Sequence, residues 1–158
     1  DIKDSKMKKL IEQILKFGVV GVLCFGIDFL ITLVVAAICR NLGMGTSPAA
    51  LFGAFWGFTI SVIVNYILSM KFVFVRREDM DRRREFVIFV VLSLFGLALN
   101  ELIIWVCVDV LYPMVASVFV WLTAGLVTAA AKIVATAIVM VYNFITRKIF
   151  LEQKGEKA

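Results

Sequence analysis

The chain has 158 residues, of which 62% are hydrophobic, and its net charge at pH 7 is +5. A soluble domain is about half apolar, so this composition excludes an ordinary soluble protein. The chain contains no histidine, the commonest general base and metal ligand, and its three cysteines lack the spacing of a metal site. We therefore expect an integral membrane protein that is not an enzyme and carries no cofactor.

The chain begins with a basic, amphipathic segment. Residues 4–16 read DSKMKKLIEQILK, in which apolar side chains recur at helical spacing between lysines. This pattern predicts that residues 1–16 form a cytoplasmic amphipathic segment, lying on the membrane surface.

Four apolar blocks follow, each long enough to cross the membrane as a helix, since about 20 residues span the hydrocarbon core. Such continuous runs exclude a β-barrel. We expect an all-α integral membrane protein with a single domain over residues 1–158. Its four transmembrane helices are predicted over residues 17–39, 49–70, 86–108 and 115–146.

The connections between these helices carry their own signals. Asn41-Leu42-Gly43 predicts a left-handed end of the first helix, and Ser47-Pro48 predicts the start of the second, with Ser47 as its N-cap. A cytoplasmic loop is predicted over residues 72–85, and a short outer loop around residues 109–113.

The basic residues are concentrated in segments that four crossings place on one side of the membrane. Of the 17 lysines and arginines, 15 precede the first helix, lie between the second and third, or follow the fourth. The positive-inside rule then predicts that both termini are cytoplasmic.

The first and third helices resemble each other. Phe17-Gly18-Val19-Val20-Gly21 followed by Asp28 corresponds to Phe89-Val90-Val91-Leu92-Ser93 followed by Asn100, at a constant offset of 72 residues. The second and fourth helices likewise end in similar segments. These are Asn65-Tyr66-Ile67 with Phe74, and Asn143-Phe144-Ile145 with Phe150, the spacing to the final Phe being two residues shorter in the second copy. We expect two helical hairpins in a parallel repeat.

Three ionisable residues lie inside the apolar blocks, where charge is costly and marks a functional site. Counted at ~1.5 Å per residue, Asp28 lies roughly 16 Å from the cytoplasmic boundary, and Glu101 and Lys132 each lie about 22 Å from it. Equal depth makes Glu101 and Lys132 the best candidate ion pair. Either this pair neutralises itself and fixes the third helix against the fourth, or Lys132 is available to an anionic ligand.

Two asparagines lie close to basic residues at the cytoplasmic helix ends. Asn65 precedes Lys71, and Asn143 precedes Arg147 and Lys148. Such sets of donors suit a phosphate at the headgroup level, because charge-assisted hydrogen bonds to its oxygens are strong. Alternatively, the asparagines bond across helices while the cations extend to the membrane surface.

With these motifs the sequence resembles the GtrA-like family of four-helix membrane proteins, over about residues 10–150. The resemblance also rests on Asn65 through Lys71-Phe72-Val73-Phe74, and on Asn100. The sequence departs from the family pattern by having Phe72 where a tryptophan is expected, and by its shortened tail after Asn143.

The resemblance implies translocation of a polyprenyl-phosphate-linked monosaccharide, such as undecaprenyl-phosphate-glucose, between leaflets. It also implies a bacterial or archaeal cytoplasmic membrane, a role in cell-surface polysaccharide or teichoic acid glycosylation, and a membrane glycosyltransferase as partner. We further expect a homodimer and no nucleic-acid partner. The substrate-binding residues would be Asp28, Asn65, Lys71, Asn100, Glu101, Lys132, Asn143, Arg147 and Lys148.

Two alternatives remain at this point. One is a proton-coupled exporter of small cations, with Asp28 or Glu101 as the membrane acid, against which Lys132 argues. The other is a non-transporting anchor for a glycosyltransferase, in which Lys132 and the asparagines would be structural.

Overall fold

The structure, a computed structural model, describes residues 2–155 of the chain. Asp1, at the start of the predicted segment 1–16, and Lys157, one of the 15 basic residues, lie outside the described residues. Four helical spans are long and apolar enough to cross a membrane: Ile2–Asn41, Thr46–Val73, Arg82–Val115 and Ala124–Leu151. The predicted all-α membrane fold with four transmembrane helices is confirmed.

These spans form two compact units, Asp1–Met80 with Glu152–Ala158, and Asp81–Leu151. The first unit contains helices α1 (Ile2–Asn41) and α2 (Thr46–Leu68), which pack against each other. We call this pair hairpin 1. The second unit contains helices α3 (Arg82–Trp105), α4 (Tyr112–Val115) and α5 (Ala124–Leu151), with α3 packed on α5. We call it hairpin 2.

Helix α1 is continuous over 40 residues, from Ile2 to Asn41. At ~1.5 Å per residue it is about 60 Å long, roughly twice the ~30 Å hydrocarbon core. The predicted amphipathic segment is therefore helical but is not a separate surface helix. No glycine or proline interrupts the chain before Gly18, so nothing breaks the helix at the expected junction.

The connection between α1 and α2 confirms one of the two predicted helix caps and contradicts the other. Gly43 has φ +92°, and the N–H of Met44 donates to the carbonyl of Cys39 at 3.0 Å, as the predicted left-handed end requires. Helix α2 begins at Thr46 with Gly45 as its N-cap, so the prediction of Ser47 as N-cap was wrong. Pro48 still lies in the first turn, where proline is tolerated because a backbone N–H there would have no partner within the helix.

The end of α2 is a π-helical turn, Ser69–Val73. The amide of Gln13 on α1 donates to the carbonyl of Val73 at 3.0 Å and to Glu152 Oε1 at 2.5 Å. Glu152, which follows α5, is thereby hydrogen-bonded to hairpin 1. Because helix continues to Val73 and α3 begins at Arg82, the loop is shorter than the predicted residues 72–85.

The predicted outer loop around residues 109–113 is helical instead. A π-helical turn, Val106–Leu111, continues α3 into α4, and Pro113 lies in the first turn of α4, where proline is tolerated. The connection therefore falls after Val115, and α5 begins at Ala124 rather than at the predicted residue 115.

Helix α5 extends to Leu151, five residues beyond its predicted end at residue 146. Apolar residues at Ile149, Phe150 and Leu151 continue the helical pattern, and no glycine follows until Gly155. Arg147 and Lys148 consequently lie within the helix rather than after it.

The two hairpins bury corresponding positions, which supports the predicted repeat. The final phenylalanines do not correspond, however: Phe74 is 4% exposed and Phe150 is 50% exposed. Val73 and Leu151 occupy matching buried positions instead, so the second copy is not shortened. The matching buried pairs are Phe17 and Phe89, Cys24 and Gly96, Gly53 and Ala131, Gly57 and Ala135, and Val73 and Leu151.

Candidate functional site

Asp28 lies within hairpin 1, at the crossing of α1 and α2. It is half-buried, and its Oδ1 accepts a hydrogen bond from the Thr32 hydroxyl at 3.3 Å. A Cβ atom on Gly57 would lie 2.5 Å from Asp28 Oδ1 and 2.7 Å from the Asp28 carbonyl oxygen. Only glycine allows this approach, so the carboxylate is packed directly against the backbone of α2.

The same interface continues on either side of Asp28. A Cβ on Gly53 would lie 2.5 Å from the carbonyl oxygen of Thr32. In the other direction, the Ser61 hydroxyl donates to the carbonyl of Cys24 at 3.0 Å. The small residues of α2 thus let the two backbones approach closely, as such ladders do in membranes.

Asn65 and Lys71 are not brought together. Asn65 Oδ1 accepts a hydrogen bond from Ser69 at 2.8 Å, within the same helical span. Lys71 is exposed in the π-helical turn, and its Nζ lies 5.3 Å from the centroid of the Phe72 ring. The contact described for Asn65 therefore lies within its own helix, and is not the predicted bond across helices.

Arg147 lies inside hairpin 2, contrary to its predicted position at the headgroup level. The side chain is 2% exposed. Its Nη2 donates to Ser93 Oγ at 2.9 Å, and its guanidinium carbon lies 4.1 Å from the centroid of the Phe89 ring. Such stacking on an aromatic face stabilises a buried guanidinium.

The α3 face that receives Arg147 was not recognised as a group from the sequence. Glu85, Phe89 and Ser93 follow one another at steps of four, so they share one side of the helix. All three are buried, Glu85 to 2% exposure. The pattern that could have indicated this face is an acid, a phenylalanine and a serine at steps of four on α3, together with an arginine on α5.

Asn143 also lies between α3 and α5. A Cβ on Gly96 would lie 3.0 Å from its Oδ1, and the neighbouring Tyr142 hydroxyl donates to the carbonyl of Leu92 at 3.3 Å. Asn143 thus packs within the hairpin. Lys148 is half-buried, with its Nζ 5.9 Å from the centroid of the Phe144 ring.

Lys132 and Glu101 do not form the predicted ion pair. Lys132 is exposed on α5, although its neighbour Ala131 is buried. Glu101 is exposed on α3 and accepts a hydrogen bond from the Asn100 amide at 3.3 Å. Between residues 2 and 155, no acidic group lies within ion-pairing distance of Lys132, and no cluster of three His, Cys, Asp or Glu forms a metal site.

Similarity to known proteins identifies the family of the chain. The family model described as GtrA/DPMS, transmembrane domain, matches residues 16–151. The chain belongs to the GtrA/DPMS transmembrane domain family. No curated protein and no solved structure gave a significant match. Membership makes the chain a multi-pass membrane protein of a family involved in handling glycosyl lipids, and confirms the resemblance to GtrA-like proteins.

Proposed function

We propose that this GtrA/DPMS-family protein moves a polyprenyl-phosphate-linked monosaccharide, such as undecaprenyl-phosphate-glucose, between the leaflets of the cytoplasmic membrane. The observation that carries the proposal is Lys132, an exposed ammonium within the membrane-spanning helix Ala124–Leu151. A charge at that depth is costly, and functional ligands are one of the few things that balance it.

The chemistry of this lipid matches such a cation. Its phosphodiester carries one negative charge, its sugar is polar, and its long apolar tail is compatible with the surrounding hydrocarbon. Lys132 would stabilise the phosphate within the membrane, because a charge-assisted bond offsets the loss of water. The exposed Glu101, with Asn100 beside it, would accept and donate hydrogen bonds to the sugar hydroxyls.

Entry of the phosphate would use a lysine near a helix end of either hairpin. Lys71 is exposed at the end of α2, and Lys148 is half-buried near the end of α5. Arg147 is no longer part of this set, because its guanidinium is buried against Phe89 and Ser93. The contacts of Asp28, Asn65 and Asn143 within their own hairpins favour a packing role for those residues.

The setting of this activity is part of the same proposal. The charge distribution supports both termini in the cytoplasm. We place the protein in a bacterial or archaeal cytoplasmic membrane, as a transporter rather than an enzyme. A membrane glycosyltransferase would supply the lipid-linked sugar for modification of cell-surface glycans, including teichoic acid.

The proposal is tested with purified protein in liposomes. Labelled polyprenyl-phosphate-glucose is placed in one leaflet, and its appearance in the other is timed. We expect Lys132→Met to slow the movement by about tenfold or more, which corresponds to about 1.4 kcal/mol of lost stabilisation. Lys132→Arg keeps the charge and should retain most of the rate.

A matched control is available on the same helix. Val134 is 48% exposed two residues away, and Val134→Met introduces the same side chain without removing a charge. Movement at the native rate by a well-folded Lys132→Met protein would contradict the assigned role of Lys132.

A further inference from the structure

The connection between α4 and α5 is apolar, although it joins two helices at one end of hairpin 2. Residues 116–123 read ASVFVWLT, in which Ser117 and Thr123 are the only polar side chains. No charged residue occurs from position 110 to position 131. Hairpin 1 differs, because an exposed Arg40 lies in the last turn of α1, directly before its own connection. Connections that face water are typically polar, so this composition indicates a different environment.

The apolar side chains of the α4–α5 connection are exposed. Val118 is 73%, Val120 is 85% and Trp121 is 70% exposed. The ring of Phe119 lies edge-on to that of Trp121, with 6.2 Å between the two centroids. The described part of the protein therefore does not cover them. An exposed apolar patch of this kind marks contact with a membrane or with another protein.

The backbone of the connection is folded into hydrogen-bonded turns. The N–H groups of Val118 and Phe119 both donate to the carbonyl of Val115 at 3.0 Å. The N–H of Leu122 donates to the carbonyl of Phe119 at 2.9 Å. The Tyr112 hydroxyl donates to the carbonyl of Leu122 at 3.1 Å, which joins the start of α4 to the end of the connection. Each bond made internally lowers the cost of moving the backbone from water towards lipid.

The length of α5 places the connection at a membrane surface. Because α5 has 28 residues, it is about 42 Å long at ~1.5 Å per residue. A bilayer with its headgroup regions is about 40–45 Å thick. Three exposed arginines, Arg82–Arg84, begin the antiparallel α3 at the opposite end of hairpin 2, and the positive-inside rule assigns that end to the cytoplasm. The connection then lies at the level of the outer headgroups.

The two charges that flank the uncharged stretch lie at nearly the same level. Gly96 on α3 packs beside Asn143 on α5, and Asp109 lies 13 residues beyond Gly96. The same number of residues along the antiparallel α5 leads from Asn143 to position 130, close to Lys132. The uncharged end of hairpin 2 thus begins at one level on both helices. Such an apolar end would be costly in water, which favours lipid around it.

We propose that the α4–α5 connection inserts its aromatic and aliphatic side chains into the boundary between the headgroups and the acyl chains of the outer leaflet. Tryptophan favours this layer, because its ring is apolar and its indole N–H bonds to polar groups there. The bulk lipid of the leaflet, rather than a polyprenyl lipid, covers the exposed patch. This attachment holds Lys132, which lies eight residues inside Ala124, about 12 Å below the connection.

The fluorescence of Trp121 alone tests the inference. Trp56→Phe and Trp105→Phe leave Trp121 as the single tryptophan, and the protein is reconstituted in phosphatidylcholine vesicles that contain no polyprenyl lipid. Bromine atoms, which quench nearby tryptophan, are placed either near the glycerol end or near the methyl end of the acyl chains. We expect bromine near the glycerol end to quench Trp121 more strongly. Iodide on both sides of the membrane should quench it less than free tryptophan amide.

Trp105 provides the matched comparison within hairpin 2. It is exposed on α3, nine residues beyond Gly96, and is therefore level with about residue 134 of α5. That level is roughly 15 Å inside Ala124. In the variant that retains Trp105 alone, made by Trp56→Phe and Trp121→Phe, bromine near the methyl end should be the stronger quencher.

A charge introduced into the connection should move it towards water. Val120→Asp leaves the packing of hairpin 2 nearly unchanged, because Val120 is exposed. We expect weaker quenching of Trp121 by bromine and stronger quenching by iodide, since a carboxylate resists entry into the acyl region. Leu42→Asp is the control, because Leu42 is similarly exposed in the connection of hairpin 1 and should leave Trp121 unchanged.

Circular dichroism identifies a single-tryptophan protein that fails to fold. A spin label on Val120→Cys, after the native cysteines are changed to alanine, then replaces the fluorescence. Its accessibility to oxygen and to a water-soluble nickel complex reports the same depth, and we expect the label at the boundary between headgroups and acyl chains.

Quenching of Trp121 by iodide to the level of free tryptophan amide would overturn the inference, because the connection would then lie in water. Protection from both iodide and bromine would also overturn it, since a protein surface would then cover the patch. The same bromine profile for Trp121 and Trp105 would place the connection in the hydrocarbon core and contradict the proposed layer. None of these outcomes bears on lipid movement that depends on Lys132, so this inference and the proposed transport fail separately.

Discussion

Arg147 and Lys132 have opposite surroundings although both are cations on α5. The Arg147 guanidinium lies against Phe89 and Ser93 and is 2% exposed, whereas Lys132 is exposed at membrane depth. In the sequence each is a basic residue in an apolar helix. The difference arises from the partner helix, which offers a serine and an aromatic ring to Arg147 and no acidic partner to Lys132. The sequence shows the residue types, but it predicted neither the buried position of Arg147 nor the pairing of either cation.

Gly57 provides a residue-level test of the Asp28 contact. Gly57→Ala would place a Cβ 2.5 Å from Asp28 Oδ1 and 2.7 Å from its backbone carbonyl, which forces α1 and α2 apart. We expect a loss of about 1–3 kcal/mol, measured by thermal unfolding in detergent.

Gly26→Ala is the matched control in the same hairpin. A Cβ on Gly26 would meet nothing within 4 Å, and alanine is the better helix former by about 1 kcal/mol. Equal melting temperatures for the two variants would show that the two helices do not approach as described.

At the scale of helices, local signals predicted some boundaries and misplaced others. Gly43 ends α1 as expected, because glycine adopts a positive φ readily whatever its neighbours are. Pro113 was misleading, since proline also fits the first turn of a helix, and a π-helical turn leads into α4. The end of α5 was set too early because Arg147 was interpreted as a boundary cation. Burial of a charge by a neighbouring helix has no signature in the local sequence.

Arg147 should therefore join α3 to α5. Arg147→Ala removes the hydrogen bond to Ser93, the contact with the Phe89 ring and most of a buried side chain. We expect a destabilisation of about 3 kcal/mol, because lost packing and an unfilled cavity add to the lost bond. Thermal unfolding of the purified variant in detergent measures it.

Lys148→Ala, at the next position, is the comparison because Lys148 is half-buried whereas Arg147 is buried. We expect Lys148→Ala to destabilise the protein less than Arg147→Ala does. A larger effect there than at Arg147 would contradict the buried arginine.

At the scale of the whole chain, the repeat was visible in the sequence and is matched by burial. Phe17 and Phe89, offset by 72 residues, are both buried, as the alignment of helices one and three predicted. The pairing of Phe74 with Phe150 was wrong, because it matched two phenylalanines by residue type. The helical spacing instead places Leu151 on the buried side of α5. Phase, rather than residue type, is the more reliable guide to equivalent positions in such helices.

The topology is a prediction for the whole chain. Single cysteines are introduced at Met44, between α1 and α2, and at Met80, between α2 and α3, after the native cysteines are changed to alanine. The positive-inside rule predicts that a membrane-impermeant maleimide labels the Met44 position in intact cells, and the Met80 position only after permeabilisation. Labelling of the Met80 position in intact cells, and of the Met44 position only after permeabilisation, would show the opposite orientation.

The proposed transport of an anionic lipid is tested most sharply by comparing two lipids in liposomes that contain the native protein. One is polyprenyl-phosphate-glucose, and the other is a neutral glucosyl lipid of similar length without the phosphate. Since an ammonium at membrane depth favours an anion, we predict movement of the phosphate-linked lipid well above the rate in protein-free liposomes, with little acceleration of the neutral one. Movement of the phosphate-linked lipid no faster than in protein-free liposomes would contradict the proposed transport.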